Sequence, residues 1–583
     1  MGAYFLNWYR ALFRALGEKV MGARRSHILV QAGLLVLVVL VWKFQHAYGA
    51  PWEGRLGRHL AAGKELRFEE LIHVQIWWAA CIDMMLVGVL LLLSPWWLHW
   101  AEDERSGRAT VGASPRRLDR RTWCWIGLGL LLALAVRVPR LDQTITRDEQ
   151  DTLRRNIIGF VYESGGDNPV AEIVDWKATL WEDKQANNPF LFSILARVTL
   201  RAWQWWEGAE PWRINRVVLR LWAIIPGVLS LAALWWSIQR MGFARAAIIA
   251  LYFGALHPFH VNFSTQARGY ALVLLFASLI PGFSWIALER GKWRHWCGLV
   301  ACFFGCLYSF PGSFYFTGSW AVILASYLGW RWLRWHDSSA RASLVRFAVT
   351  SCGAAFIFLP LVLPAVPQVA KWGREFRGAL EHTWPVTAWS NYAAGVAKPN
   401  GPEVNEWEGG WNRGRPVTFR RGALEYLVQR YVPNEPLLFG FVFCLVPALM
   451  VVGLRQLCRR APWAWIIFPA SLFPAVLTYF IYRSGQTPYI FHWYLIYFLP
   501  VVLLLVALGL DITGGWLERR LRRTLWLPAV LFLLLLISVN LGGPGRLLWF
   551  PGPQTVDAEY FRGRYHFVTR PDGVTQRVAR PLE

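Results

Sequence analysis

Long apolar runs separated by short basic connections dominate the chain. Runs near residues 28–43, 74–98, 122–138, 216–239, 246–262, 271–289, 296–310, 314–331, 347–366, 434–453, 463–482, 489–510 and 525–541 are mainly apolar. Each comes close to the roughly 20 residues a helix needs to cross a hydrocarbon core, so the pattern predicts about 13 transmembrane helices. Two long polar segments interrupt the series, 139–215 and 367–433, and a polar tail follows from 542. Within the first of these, 189–206 is apolar again. Within the tail, Phe567 to Val578 around Pro571-Asp572-Gly573 predicts a small hairpin.

The basic residues in the connections set an orientation. With the N-terminus inside, the inner segments carry Arg24/Arg25, Arg116/Arg117, Arg240/Arg245, Arg290/Lys292, Arg331/Arg334, Arg455/Arg459 and Arg519/Arg520. That agrees with the excess of Lys and Arg on cytoplasmic loops. A full crossing by 189–206 would invert every later loop and turn these clusters outward, so that stretch is read as an interfacial or re-entrant helix. Both long polar segments and the tail then lie outside a cytoplasmic membrane.

Composition supports the same picture. Of 583 residues, 55% are hydrophobic and 17% charged, and the mean hydropathy is +0.30, too apolar for a soluble enzyme of this length. The 37 Trp and 19 Tyr include Trp77-Trp78, Trp96-Trp97 and Trp205-Trp206, pairs suited to the membrane–water interface. The net charge of +24 lies in short runs between apolar segments rather than on one stripe, which makes it a topology signal and not a nucleic-acid footprint. The eight cysteines avoid the long polar segments and show no metal-type CxxC. The first apolar stretch lacks a small-residue cleavage site and is expected to stay as a helix.

Acids cluster at the start of the first polar segment. After Arg137-Val-Pro-Arg-Leu-Asp142 comes Thr146-Arg147-Asp148-Glu149-Gln150-Asp151, four acids within ten residues of a helix end. Taken alone, such a run fits a solvated loop or acids complementing the dipole of a helix that starts near Asp148.

The run Arg147-Asp148-Glu149-Gln150-Asp151-Thr152 after an R-x-P-R helix end resembles the Asp-Glu motif in the first outer loop of GT-C glycosyltransferases, the membrane enzymes related to protein O-mannosyltransferases and aminoarabinose transferases. Asn187-Asn188-Pro189-Phe190-Leu191-Phe192 is similar to that family's His-Pro-Pro-Leu-Tyr-Tyr, with Asn187 and Asn188 in place of His and Pro. His257-Pro258-Phe259-His260-Val261-Asn262-Phe263-Ser264-Thr265-Gln266-Ala267-Arg268-Gly269-Tyr270 is similar to S-P-F-H-x-x-Y-S-Q-E-A-R-x-Y, the most specific of the matches. Tyr489-Ile490-Phe491-His492-Trp493-Tyr494 matches in part, with His492 where the family tends to have Arg. Four short motifs in family order on one predicted face carry more weight than any one alone.

The resemblance implies an all-α polytopic membrane protein, a GT-C-like bundle with interfacial helices near 148–160 and 189–206. Residues 1–121 would add two extra helices and a basic cytoplasmic loop, 122–541 would form the catalytic module, and 542–583 a short extracytoplasmic tail. It also implies a polyprenyl-phosphate sugar as donor and a protein, lipid or glycan acceptor. Phosphate leaves without needing a proton, so the chemistry calls for a base on the acceptor hydroxyl rather than a general acid. Asp148 is the expected base. Glu149 is expected to orient the acceptor, to hold a divalent cation together with Asp148, or to raise the pKa of Asp148. Arg268 is the first candidate for the donor phosphate, with Tyr270, His492 and Arg483 beside it. Asn187, Asn188, His260 and Gln266 are expected to line the site, although a helix-end hydrogen bond is the simpler role for His257 and His260.

Asp83 lies inside a predicted span, where an acid is costly, and is expected to pin the two extra helices to the bundle. Two other functions fit part of the pattern. A flippase for lipid-linked glycan should show hydropathy repeats, and none accompanies the possible helix breaks at Pro226-Gly227 and Pro281-Gly282. An O-antigen polymerase or ligase would place Arg and His in a late outer loop. Arg413 to Arg421 and His492 fit that, whereas the early Asp148-Glu149 does not.

Overall fold

The computed structural model describes residues 25–101, 119–141, 145, 147–163, 169–183, 188–375, 444–466, 469–474, 492–521, 565–569 and 575–579. In chain order the helices begin with α1 (Arg25–Tyr48), α2 (Gly54–Ala61), α3 (Phe68–Leu92), α4 (Ser94–Ala101), α5 (Arg120–Arg137) and α6 (Arg147–Thr152). A ribbon of β1 (Gly159–Glu163) and β2 (Pro169–Ile173) follows, then α7 (Trp176–Trp181), α8 (Phe190–Glu207), α9 (Arg216–Arg240), α10 (Ala244–Leu256) and α11 (Pro258–Phe263). Next come α12 (Tyr270–Arg290), α13 (Trp293–Ser309), α14 (Phe314–Trp335), α15 (Ser338–Val362) and α16 (Val366–Glu375). Last are α17 (Val446–Arg460), α18 (Leu499–Leu521) and a ribbon of β3 (Tyr565–Thr569) and β4 (Thr575–Ala579).

Seven of the described helical segments are long and apolar enough to cross a membrane: His27–Tyr48, Phe68–Leu92, Arg120–Arg140, Arg216–Arg240, Tyr270–Arg290, Ser338–Lys371 and Leu495–Arg520. The protein is a helical, polytopic membrane protein. Several helices start at side-chain caps that accept from otherwise unpaired N–H groups. Asp119 accepts from Thr122 N–H (3.1 Å) ahead of α5. Asn215 accepts from Val217 and Val218 (3.0 and 3.1 Å) ahead of α9. Asp337 does the same for Ser339 and Ala340 (2.9 and 3.2 Å) ahead of α15.

Several element boundaries differ from expectation for local reasons. The 74–98 run is α3 followed by a separate α4, because Pro95 sits in the first turn of a new helix. The 246–262 run divides at His257, whose extended backbone ends α10, and Pro258 opens α11. The helix expected at 148–160 stops at Thr152; the chain widens through Leu153–Ile157, where Ile158 N–H bonds Leu153 O at 2.7 Å, and leaves as a strand. Two short ribbons accompany the helical bundle: β1 pairs antiparallel with β2, Gly159 opposite Ile173, and β3 with β4, Tyr565 opposite Ala579. The second ribbon is the hairpin expected around Asp572. The predicted span at 525–541 and the second outer segment from 376 lie outside the described residues.

The chain forms two compact units. The first contains Met1–Gly112, Ile286–Phe304 and Leu324–Pro367. Within it α3 packs on α1 and α15, and α4 packs on α15. Arg346 ties this unit together by donating to Gly291 O (2.6 Å) and to Ala101 O. Asp83 is buried in α3 at 4% exposure. Its Oδ1 accepts no hydrogen bond among the described residues.

The second unit contains Ala113–Trp285, Gly305–Ile323 and Gln368–Glu583. Its tightest helix crossing is α17 on α18. A Cβ on Gly453 would stand 2.1 Å from Leu505 O, and one on Gly509 would stand 2.1 Å from Leu449 O. Backbones that approach this closely pack by small residues, the usual device where lipid removes the hydrophobic drive between helices. Gly509→Val is expected to force α17 and α18 apart and destabilise the unit by about 1–3 kcal/mol, read as a lower melting temperature in nanodiscs.

Candidate functional site

The first polar segment is a built module inside the second unit. Leu153, Ile157, Phe192, Leu200, Leu219 and Leu272 share one buried apolar cluster, which seats α6 and the following turn on α8, α9 and the start of α12. Polar bonds then fix the loop. Arg197 on α8, 3% exposed, donates to Asp175 O (2.8 Å) and to Thr179, and its guanidinium lies 4.3 Å from the Trp176 ring centroid. Asn156 donates to Glu182 O (3.1 Å) and its own carbonyl accepts from Thr179 Oγ1 (2.6 Å).

Glu149 sits at the centre of this arrangement, fully buried. Arg220, near the start of α9, grips it with two parallel bonds, Nε to Oε1 at 3.1 Å and Nη2 to Oε2 at 3.0 Å. Ala267 N–H also donates to Oε1. Arg220 Nη1 reaches Leu141 O at 2.9 Å. Both carboxylate oxygens are therefore engaged by charge-assisted bonds in a dry setting. In this geometry Glu149 is a joint between the Asp-Glu run and the 257–270 segment. Among the described residues no three His, Cys, Asp or Glu groups come together as metal ligands. Asp148 lies beside Glu149 in α6; its side chain is outside the described residues.

The 257–270 segment is held from its other side by the R-x-P-R helix end. Arg137, completely buried, donates from Nε to Ser264 Oγ (2.7 Å), from Nη1 to Ala133 O (2.7 Å) and Ala255 O (3.1 Å), and from Nη2 to His260 Nδ1 (2.8 Å). A guanidinium only donates, so His260 Nδ1 accepts and the ring proton sits on Nε2. Nε2 then donates to Ser230 Oγ (2.9 Å), and Ser230 in turn donates to Gly227 O (2.7 Å). His260 is thus a neutral, doubly bonded packing residue rather than a lining residue, which corrects the expectation from sequence. His260→Leu is expected to strand Arg137 Nη2 and Ser230 and to destabilise the protein by about 1–3 kcal/mol, while the folded fraction keeps its affinity for a polyprenyl phosphate; a melt and a binding titration on the same sample check both.

Arg268 is 2% exposed and bonds Thr152 Oγ1, which joins it to the end of α6. Its guanidinium stands 5.7 Å from the centroid of Tyr270, itself packed edge-on to Phe263 at 5.2 Å. A side chain at Gly269 has no room, since a Cβ would lie 2.1 Å from Ser309 O and 2.8 Å from Pro189 Cβ. Asn188 is buried and satisfied: its N–H donates to Asp183 Oδ1 (2.9 Å), Nδ2 donates to Glu182 O (2.8 Å), and Oδ1 accepts from Ser193 (2.9 Å). It fastens the entry to α8, in place of the lining role expected for it. Gln266 is partly exposed, and its carbonyl accepts from Arg268 N–H at 2.7 Å. Asn187, Arg483 and the side chain of His492 lie outside the described residues. The structure thus brings Glu149, Arg268 and Tyr270 into one neighbourhood through α6, α9 and the 264–270 turn. Reading the sequence missed Arg220, Arg140 and Arg197; a signal existed for Arg220, an arginine within an otherwise apolar span.

With that geometry in hand, comparison with known proteins adds a likeness in fold. No protein-family model matches the chain, and no curated protein does. Among solved structures, the chain is similar to the archaeal oligosaccharyltransferase AglB from Archaeoglobus fulgidus in complex with an inhibitory peptide and a dolichol-phosphate, at 15% identity and a TM-score of 0.40, over 74% of this chain and 55% of that one. It is also similar to the apo form of the Archaeoglobus fulgidus oligosaccharyltransferase, at 16% identity and a TM-score of 0.41, over 74% and 57%. The form tethered to an acceptor peptide containing the NVT sequon matches at 13% identity and a TM-score of 0.40, over 75% and 56%. The chain thus spans a little over half the length of the structures it matches.

Proposed function

We propose that this protein is a GT-C type membrane glycosyltransferase that moves a sugar from a polyprenyl-phosphate donor to an acceptor hydroxyl on the extracytoplasmic face of the cytoplasmic membrane. The observation that carries the reading is the buried Glu149–Arg220 pair together with the Ala267 N–H bond. Two segments that resemble family motifs, far apart in sequence, meet through one carboxylate. The placement of Lys and Arg in the connections supports the orientation.

In this reading Asp148, the acid beside the committed Glu149, takes the acceptor's hydroxyl proton. The acceptor oxygen bonds the anomeric carbon as its bond to the phosphate oxygen breaks, and phosphate leaves with the electron pair. The transfer inverts the anomeric centre. Arg268 is assigned to the donor phosphate, with Tyr270, His492 and Arg483 as further candidates, since a guanidinium in low dielectric binds phosphate well. Protein, lipid and glycan acceptors all fit this chemistry.

The test is transfer of labelled sugar from polyprenyl-phosphate donors by the purified protein in nanodiscs, offered each acceptor class in turn. Release or transfer of the label is expected. A donor that binds while its sugar never leaves would overturn the enzyme reading and direct attention to flipping.

A further inference from the structure

Arg140 closes the helix end that begins with Arg137, and only part of its guanidinium is used. Nε donates to Thr265 Oγ1 at 3.2 Å and Nη2 to Asn262 Oδ1 at 3.3 Å. Nη1 is buried without a hydrogen-bond partner among the described residues, and so is Asn262 Nδ2, one hydrogen bond away on the same pair of side chains. Both residues are 2% exposed. The amide cannot be turned to relieve this, since Arg140 only donates and so requires the oxygen of Asn262. Two buried donors, one of them cationic, thus sit on a hydrogen-bonded pair of side chains and have no acceptor among the described residues. The surroundings sharpen the demand: Arg137, fully buried on the same helix end, bonds neutral groups, and Glu149 is gripped by Arg220 and Ala267. A buried cation is costly without a matching anion.

We propose that Arg140 Nη1 and Asn262 Nδ2 form an oxyanion seat that takes one oxygen of a phosphate group. Its assignment to the phosphate of a lipid-linked donor rests on the glycosyltransferase reading above; the seat itself rests on the two donors and the buried charge around them. It is separate from the expected role of Arg268, whose described bond runs to Thr152.

The test uses the full-length protein in nanodiscs of neutral lipid, equilibrated with inorganic phosphate, farnesyl phosphate or chloride and followed by thermal melting. For wild type, phosphate or farnesyl phosphate should raise the melting temperature in a saturable way. Protection by both identifies a seat for free phosphate; protection by farnesyl phosphate alone identifies a lipid phosphate; either supports the proposal. The decisive variant is Asn262→Asp, which keeps the oxygen that Arg140 bonds and places a resident negative oxygen where the free donor was. It should melt higher than wild type without ligand and bind phosphate about 10- to 100-fold more weakly. Arg140→Lys, which keeps the charge and loses the fork, should weaken binding without the gain in stability. Equal titrations for wild type and Asn262→Asp, a lower melt for Asn262→Asp, or equal protection by chloride would overturn the seat. None of these readouts depends on sugar transfer, so failure here is distinguishable from failure of the proposed activity.

Discussion

Replacing Arg220 with glutamine is expected to cost about 3–5 kcal/mol of stability, because the ionised Glu149 would remain buried without its counter-ion. Glu149 has no exposure to solvent and accepts two bonds from Arg220 and one from Ala267 N–H. Removal of one partner is the harsh experiment; removal of both is mild. A Glu149→Leu, Arg220→Met double variant should recover most of the melting temperature, since apolar replacements of a buried pair are often neutral or better. Sugar transfer should not recover with it, because the joint that holds α6 against the 264–270 turn would be gone. Thermal melts and transfer rates on the two single variants and the double separate these effects. A double variant that regains both fold and transfer would show the pair to be ballast.

Asp148→Asn is expected to do the reverse. The amide keeps the size of the carboxyl and can still hydrogen-bond, but it cannot take a proton from an acceptor hydroxyl. Transfer should fall by about 10²–10⁴-fold, the usual contribution of a positioned base, with an unchanged melt and unchanged donor affinity. Since both oxygens of neighbouring Glu149 are committed, that residue cannot stand in. Transfer that persists within about tenfold of wild type would place the base elsewhere.

Much of this arrangement was legible in the chain because membrane burial writes itself in long apolar runs. The helical, membrane-spanning character and the β3–β4 hairpin are both visible there. The Glu149–Arg220 joint was not, since its partners are 71 residues apart and pairing across that distance leaves no local pattern. The cost of Arg220 inside an apolar run was readable by the same argument that singled out Asp83. Asp83, also inside an apolar run, is buried in the same way. The β1–β2 ribbon has local signals of its own, since Phe160-Val161-Tyr162 and Val170-Ala171 flank Gly165-Gly166-Asp167-Asn168, β-type residues around turn formers. His260 and Asn188 looked like lining because polar residues in a motif suggest chemistry. Each instead satisfies buried backbone and side-chain groups, a need that sequence does not announce.

Gln368 at the start of α16 accepts from Asp183 N–H at 3.1 Å and donates to Trp181 O at 2.8 Å. Asp183 in turn accepts from Asn188 N–H, at the mouth of α8. One amide side chain therefore bolts the root of the second long polar segment to backbone 185 residues earlier. In mechanical terms the two segments share a load path: tension on α16 is delivered to positions 181 and 183 and from there to the first turn of α8, so the pair would yield together or hold together.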